Sequence, residues 1–254
     1  MGREPDGQAG GDSEPKRRGR KAASATVAKQ IDNFNLNGQR LGRKGRNTRE
    51  RIIAAAQSLL SGPRSTQITL SAVAREAELK MTSLYVYFKD LTELLLATLE
   101  PVMETAEAAY LSLVRERWPD EALNACCLRF LNAYLAFWRE HSFLLHLRNS
   151  MADQYDERMM RQRVDAARPL ITMLVRQMDG DPTIIDSPAL SMATVLLTGV
   201  ERVVTIVTDT TLVSFFDGSM TEQLALRRIE AEAKLMELGI RELRRHAANG
   251  AAGG

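Results

Sequence analysis

The stretch Thr69–Leu94 reads TLSAVAREAELKMTSLYVYFKDLTEL. Thr69 is a helix N-cap residue type, and Leu70, Val73, Ala74 and Ala77 follow it at helical spacing, so a short helix opens there. A break near Glu78–Lys80 precedes another helix from about Met81 to Tyr87, with Phe88-Lys89 as the turn after it. Asp90-Leu91-Thr92-Glu93 then has the form of a capping box that starts a fourth helix. Two short helices joined by a tight turn divide the work of meeting duplex DNA. The first crosses the backbone, and the second offers its N-terminal side chains to the major groove. Such a unit needs a small apolar core, which Leu70, Val73, Ala77, Leu79, Leu84 and Phe88 supply. Lys80, Met81, Thr82 and Ser83 then stand at the groove end, with Tyr85, Tyr87 and Lys89 in reach of phosphates.

On the N-terminal side, Asn47 or Thr48 caps a helix carrying Ile52, Ile53, Ala56, Leu59 and Leu60 on one face, and Ser61-Gly62-Pro63 stops it. On the C-terminal side a long helix keeps an apolar stripe from Leu94 to Leu113, with Pro101 inside it forcing a kink. Trp118-Pro119-Asp120 ends that helix, and Asp120 caps the next, through about Arg139. Helical pieces follow over His141–Met151 and Asp153–Met178, the second broken or bent at Pro169. Gly180-Asp181-Pro182 is a loop. Ser187-Pro188 is an N-cap with proline at the first helical position, opening a helix to about Thr208. Ser219–Glu222 is a capping box for a last helix that ends near His246. With no strand-like alternation and no repeat, the expected class is all-α. The expected division is a disordered basic arm (1–46), a three-helix helix-turn-helix domain (47–92), a helical ligand-binding and dimerisation domain (93–247) and a disordered tail (248–254).

The run from Thr48 to Asp90 resembles the DNA-binding domain of the TetR family, most specifically in Leu84-Tyr85-Val86-Tyr87-Phe88 followed by Asp90-x-x-Glu93-Leu94. The resemblance implies that Thr69, Tyr85 and Tyr87 contact DNA backbone and that residues 80–83 read bases. It further implies a dimeric repressor released by a small apolar or amphipathic ligand, with no cofactor. Two positions depart from the family. Glu78 stands where glycine usually makes the turn, at some strain cost, and Leu91 replaces a phosphate-contacting lysine whose place Lys89 can take.

The net charge of +2 averages two unlike parts: residues 1–51 hold 13 Lys/Arg against 6 Asp/Glu, and the rest 21 against 26. A basic head on an acidic body implies a polyanionic partner for the head. Arg18-Gly19-Arg20 resembles the centre of an AT-hook, a minor-groove element. Arg43, Lys44 and Arg46 form a second cluster just before the first helix, beside Thr48 and Arg49, and all five are DNA-contact candidates. An architectural, sequence-blind DNA-binding protein driven by this arm is the alternative reading.

The middle helices concentrate bulky side chains, and Met103, Tyr110, Tyr134, Phe137, Trp138, His146, Met151 and Met173 are the candidate walls of an apolar ligand pocket. Pro101 is a candidate hinge. Leu196, Val200, Val203 and Val207, with Ile229, Leu235 and Met236, are candidates for a two-helix dimer face, which would set two reading heads against a near-palindromic operator. Ala189–Val207 is the most apolar segment, but Glu201-Arg202 interrupts it, so it reads as a buried helix with no membrane partner. Adjacent Cys126 and Cys127 form no disulfide framework, consistent with a reducing, cytoplasmic setting. Three scattered histidines, no Cys-x-x-Cys and no Gly-rich phosphate loop leave no recognisable metal or catalytic motif.

Overall fold

A computed structural model describes residues 39–61, 68–209 and 222–252. Among them there is no strand, and the chain is all-α. The helices are α1 (Arg43–Ser61), α2 (Leu70–Glu76), α3 (Met81–Leu84), α4 (Leu91–Ala109), α5 (Leu123–Glu140), α6 (Ser142–Asp153), α7 (Glu157–Gln177), α8 (Pro188–Thr208) and α9 (Glu222–Ala252). Short 3-10 turns, Leu111–Val114 and Asp120–Ala122, link α4 to α5.

The helix starts follow from local capping. Thr69 Oγ1 accepts from Ala72 N at 3.2 Å, Ser187 Oγ accepts from Leu190 N at 3.1 Å, and Asp90 Oδ1 accepts from Glu93 N at 2.8 Å. Glu93 reaches back in turn, but to Lys89 N (2.8 Å). Each bond satisfies an N–H that the helix itself cannot.

Several boundaries differ from the sequence reading: Asp120 opens a 3-10 turn and caps no α-helix, α5 starting at Leu123, and α7 starts at Glu157 behind Asp156 and not at Asp153. The first helix begins at Arg43, not near Asn47, because Leu41 is buried and pins the chain: Arg46 N donates to Gly42 O and Arg46 Nη1 to Leu41 O, both at 3.0 Å. Thr48 is therefore no cap; its hydroxyl donates to Lys44 O one turn back. α3 is only one turn long, and Tyr85–Tyr87 continue as tight turns. α4 ends at Ala109, short of Trp118, although Pro101 does sit inside it. α9 continues past His246 to Ala252, through the strong helix formers Ala247, Ala248, Ala251 and Ala252. The Gly62-Pro63 stop, the Ser219–Thr221 half of the last capping box and the Arg18–Arg20 cluster lie outside the described residues.

One continuous core runs through the molecule. Ile52, Val73, Leu84, Phe88 and Leu94 form its N-terminal end, and Phe130, Trp138, Leu145, Met159 and Leu174 its middle. α8 and α9 pack antiparallel. A Cβ on Gly199 would meet Glu232 Oε1 at 2.8 Å and one on Gly239 would meet Met192 Sδ at 3.2 Å, which fixes the register of the two helices. The sequence reading of α8 as a buried helix is corrected. It is long and apolar enough by composition to cross a membrane, yet only 28% of its most apolar window is buried inside the chain.

Candidate functional site

Two places gather the candidate residues. At the N-terminal end, α2 and α3 meet through a turn in which Glu78 adopts φ 52°, the left-handed region where glycine is cheap. Leu79 N donates to Ala74 O at 2.8 Å, which closes the turn. Leu84 and Phe88 lie fully buried beneath it, so the one-turn α3 is held from below while its start faces out. Lys80 and Thr82 are exposed, Ser83 is half-buried, and Met81 is half-buried against the core. Tyr85 is 49% exposed, Tyr87 packs partly on the core, and Lys89 is exposed. Thr69 Oγ1 serves as a cap and also bonds Ser71 Oγ at 3.0 Å.

The basic candidates sit on α1. Arg43, Lys44 and Arg46 project from its exposed first turn, a helical placement where a mobile arm was expected. Arg49 lies with its guanidinium 5.2 Å from the centre of the Phe88 ring, so it helps to lock α1 onto the turn after α3.

The start of α4 is fastened to the start of α7. Arg158 Nη2 donates to Asp90 Oδ2 at 3.0 Å, and Thr92 Oγ1 donates to Asp156 Oδ2 at 2.6 Å. Asp156 Oδ1 also caps α7 through Arg158 N and Met159 N. Partial burial pushes both carboxyls up, but hydrogen bonds from Arg158, Thr92 and backbone N–H groups outweigh it and hold both below the ordinary aspartate value. Arg158 and Asp156 were not legible as functional in the sequence, because the partners lie more than sixty residues apart.

The second place is an aromatic chamber between α4, α5, α6, α7 and α8. Tyr110 stands edge-on to Tyr134 (4.8 Å between centroids) and to Phe137 (5.2 Å). With Met103, Trp138 and Leu170 they enclose a cavity of about 20 Å³, space for about one water. Met103 and Tyr110 also line a second, outer groove of about 540 Å³ between α4 and α7, whose surface is mostly apolar. Burial pushes the Tyr110 phenol up to about 12 and the Tyr134 phenol higher, so both stay neutral donors.

Five of the eight predicted wall residues therefore line the inner cavity: Met103, Tyr110, Tyr134, Phe137 and Trp138. Three do not. Met173 is packed into the core and Met151 partly so. His146 lines instead a neighbouring polar cleft that shares Arg163 and Glu201 with the chamber, its Nε2 3.0 Å from Thr208 Oγ1. The sequence reading missed the charged residues of the chamber. Arg148 is 4% exposed, and Arg163 and Glu201 reach the same cavity. A signal was present: Leu144, Leu145, Arg148 and Ala152 share one buried stripe of α6, so the arginine occupies an apolar position.

The dimer candidates need correction. Leu196, Val200, Ile229 and Met236 are buried within the single chain, where α8 and α9 pack on each other and on the core, so a second copy cannot touch them. Val203 and Val207 are half-buried against the core. Leu235 alone is exposed, at 57%, and Val195 and Leu238 share that condition at 67% and 51%.

Cys126 and Cys127 are both buried free thiols, and burial pushes the Cys127 thiol up to about 12. Among the described residues no group of three or more His, Cys, Asp or Glu side chains is placed to hold a metal. The chain matches no protein-family model and no curated protein.

Proposed function

We propose that this chain is a cytoplasmic, TetR-like transcription regulator, most simply a repressor, that binds a near-palindromic operator as a dimer and lets go when a small ligand enters the helical half. The observation that carries the reading is the α2–turn–α3 unit. A capped helix, a left-handed turn at Glu78 and a one-turn helix pinned by Leu84 and Phe88 hold Lys80 and Thr82 outward. Phosphate contacts come from the first turn of α1, Tyr85 and Lys89, and base contacts from residues 80–83. The dimer face is the outer side of α8 and α9, around Val195, Leu235 and Leu238, which lie level with one another on the antiparallel pair. An apolar stripe of this kind is seldom left open to water.

Release follows from the fastening between α4 and α7. These two helices wall the outer groove, and their starts are tied beside the reading unit by Asp90–Arg158 and Thr92–Asp156. A ligand that prefers one spacing of α4 and α7 shifts the reading heads by the difference in its affinity for the two arrangements.

A gel shift against the DNA flanking its own gene tests the reading. Sequence-specific retention is expected. Thr82→Ala weakens binding by roughly 5- to 150-fold and relaxes sequence preference. Lys44→Ala weakens binding to all sequences alike and lowers the log–log salt slope by about one. Equal retention of every duplex would favour the architectural alternative, for which the basic balance of residues 1–51 speaks.

A further inference from the structure

Arg148 is the anomaly of the chamber. Its guanidinium carries five N–H donors, and among the described residues its one side-chain hydrogen bond runs from Nε to Asn149 Oδ1 at 3.1 Å. The Trp138 ring lies 5.9 Å away. Among the described residues no carboxylate comes within ion-pair distance of it. Glu201, which shares the cavity, sits instead 3.9 Å from Arg163, and Arg163 also holds Asp153 at 3.0 Å. A buried cation left this incompletely paired is destabilising unless something anionic completes it. A second unmet group lies close by. Gln162 Oε1, on the wall of the outer groove, is the one buried side-chain polar atom without a hydrogen-bond partner among the described residues.

We infer that the chamber binds an amphipathic carboxylate, its head accepting hydrogen bonds from Arg148 and its apolar chain running past Met103 and Tyr110 into the groove between α4 and α7. This deepens, and rests on, the reading of the helical half as an effector domain. The inner cavity is too small for a carboxylate as it stands, so the head enters when Met103, an unbranched and adaptable side chain, turns aside. The outer groove, at about 540 Å³, has room for the chain, and its two arginines, Arg158 and Arg161, outnumber its one carboxylate, Asp165. A hydroxyl or amide N–H part-way along the chain would find Gln162 Oε1. Two guanidinium groups, Arg148 and Arg163, face one carboxylate, Glu201, in the chamber, so an anionic head is favoured over a cationic one.

The test uses three probes of equal chain length below their micellar concentrations: decanoate, decanol and decyltrimethylammonium. At about tenfold excess over its Kd, decanoate raises the Tm of the full chain by roughly 3–6 °C, decanol raises it less, and the ammonium least. Arg148→Met reduces the decanoate shift to that of decanol, and Arg148→Lys restores part of the difference. Should the Arg148 variants fold poorly, Ala166→Phe, which narrows both cavities from α7, removes the decanoate shift instead. Equal shifts from all three probes, a larger shift from the ammonium, or no shift from decanoate overturns the inference. DNA retention is read separately on the same preparations. Decanoate binding that leaves operator retention unchanged keeps the anion site and removes its link to release. Sequence-blind retention sinks the regulator reading alone.

Discussion

Arg148 on α6 and Arg244 on α9 are buried almost equally, 4% and 6% exposed, and are treated in opposite ways. Arg244 donates to Gln177 O (2.6 Å), Trp118 O (3.0 Å), Asp120 Oδ1 and Gln177 Oε1. Gln177 is itself saturated, giving its amide hydrogens to Val114 O and Glu116 O and taking one from Trp118 N. This knot ties α9 to the end of α7 and to the turns between α4 and α5, and four of the five Arg244 donors face a chain acceptor. Arg148 has one such bond and an aromatic wall. The contrast separates a buried charge that the fold uses for its own cohesion from one that the fold leaves available to something else.

The comparison breaks most sharply if the two arginines respond alike to removal. Arg244→Ala strands the carbonyls of Gln177 and Trp118 and is expected to lower stability by about 3 kcal/mol or more, read by urea or thermal unfolding. Arg148→Met, which swaps an incompletely paired charge for an apolar chain of similar length, is expected to stay within about 1 kcal/mol of the parent or to exceed it. Equal losses would mean that Arg148 is structural too.

A middle-sized effect tests whether the chamber speaks to the reading unit. Asp90→Asn breaks the half-exposed ion pair with Arg158, worth under about 1 kcal/mol of stability, and keeps an N-cap residue for α4, so the Tm hardly moves. Decanoate is expected to bind it as before, while the ligand's effect on operator affinity falls by roughly 5-fold or more. Loss of binding and of release together would mean that the Asp90–Arg158 pair shapes the pocket and is not the linkage. The smallest effect concerns the turn. Glu78→Gly relieves a positive φ and should add about 1 kcal/mol of stability with DNA specificity unchanged, since Glu78 supports no core contact. A destabilised variant would show that the turn is not strained.

The helices and their caps at Thr69, Asp90 and Ser187 were legible because each capping bond spans only three residues and the apolar period repeats within a helix turn or two. The left-handed turn at Glu78 was expected from the family resemblance, which puts glycine at that position, and not from spacing. The pocket's aromatic walls were legible as bulky side chains in the right helices, though three of the eight, His146, Met151 and Met173, fall elsewhere once α6 and α7 take their rotations. Leu41 was missed as the anchor of α1 because its burial depends on tertiary packing and not on its immediate neighbours.

Local chemistry thus dictated where helices start, which face of each is apolar and where a polar tip can stand out. Packing between distant segments decided which apolar residues the chain covers itself, leaving Val195 and Leu238 bare while hiding Val200 and Met236, and which buried charges found partners. A cap finds its donor within one turn of chain, whereas the partners of Arg244 come from more than sixty residues away.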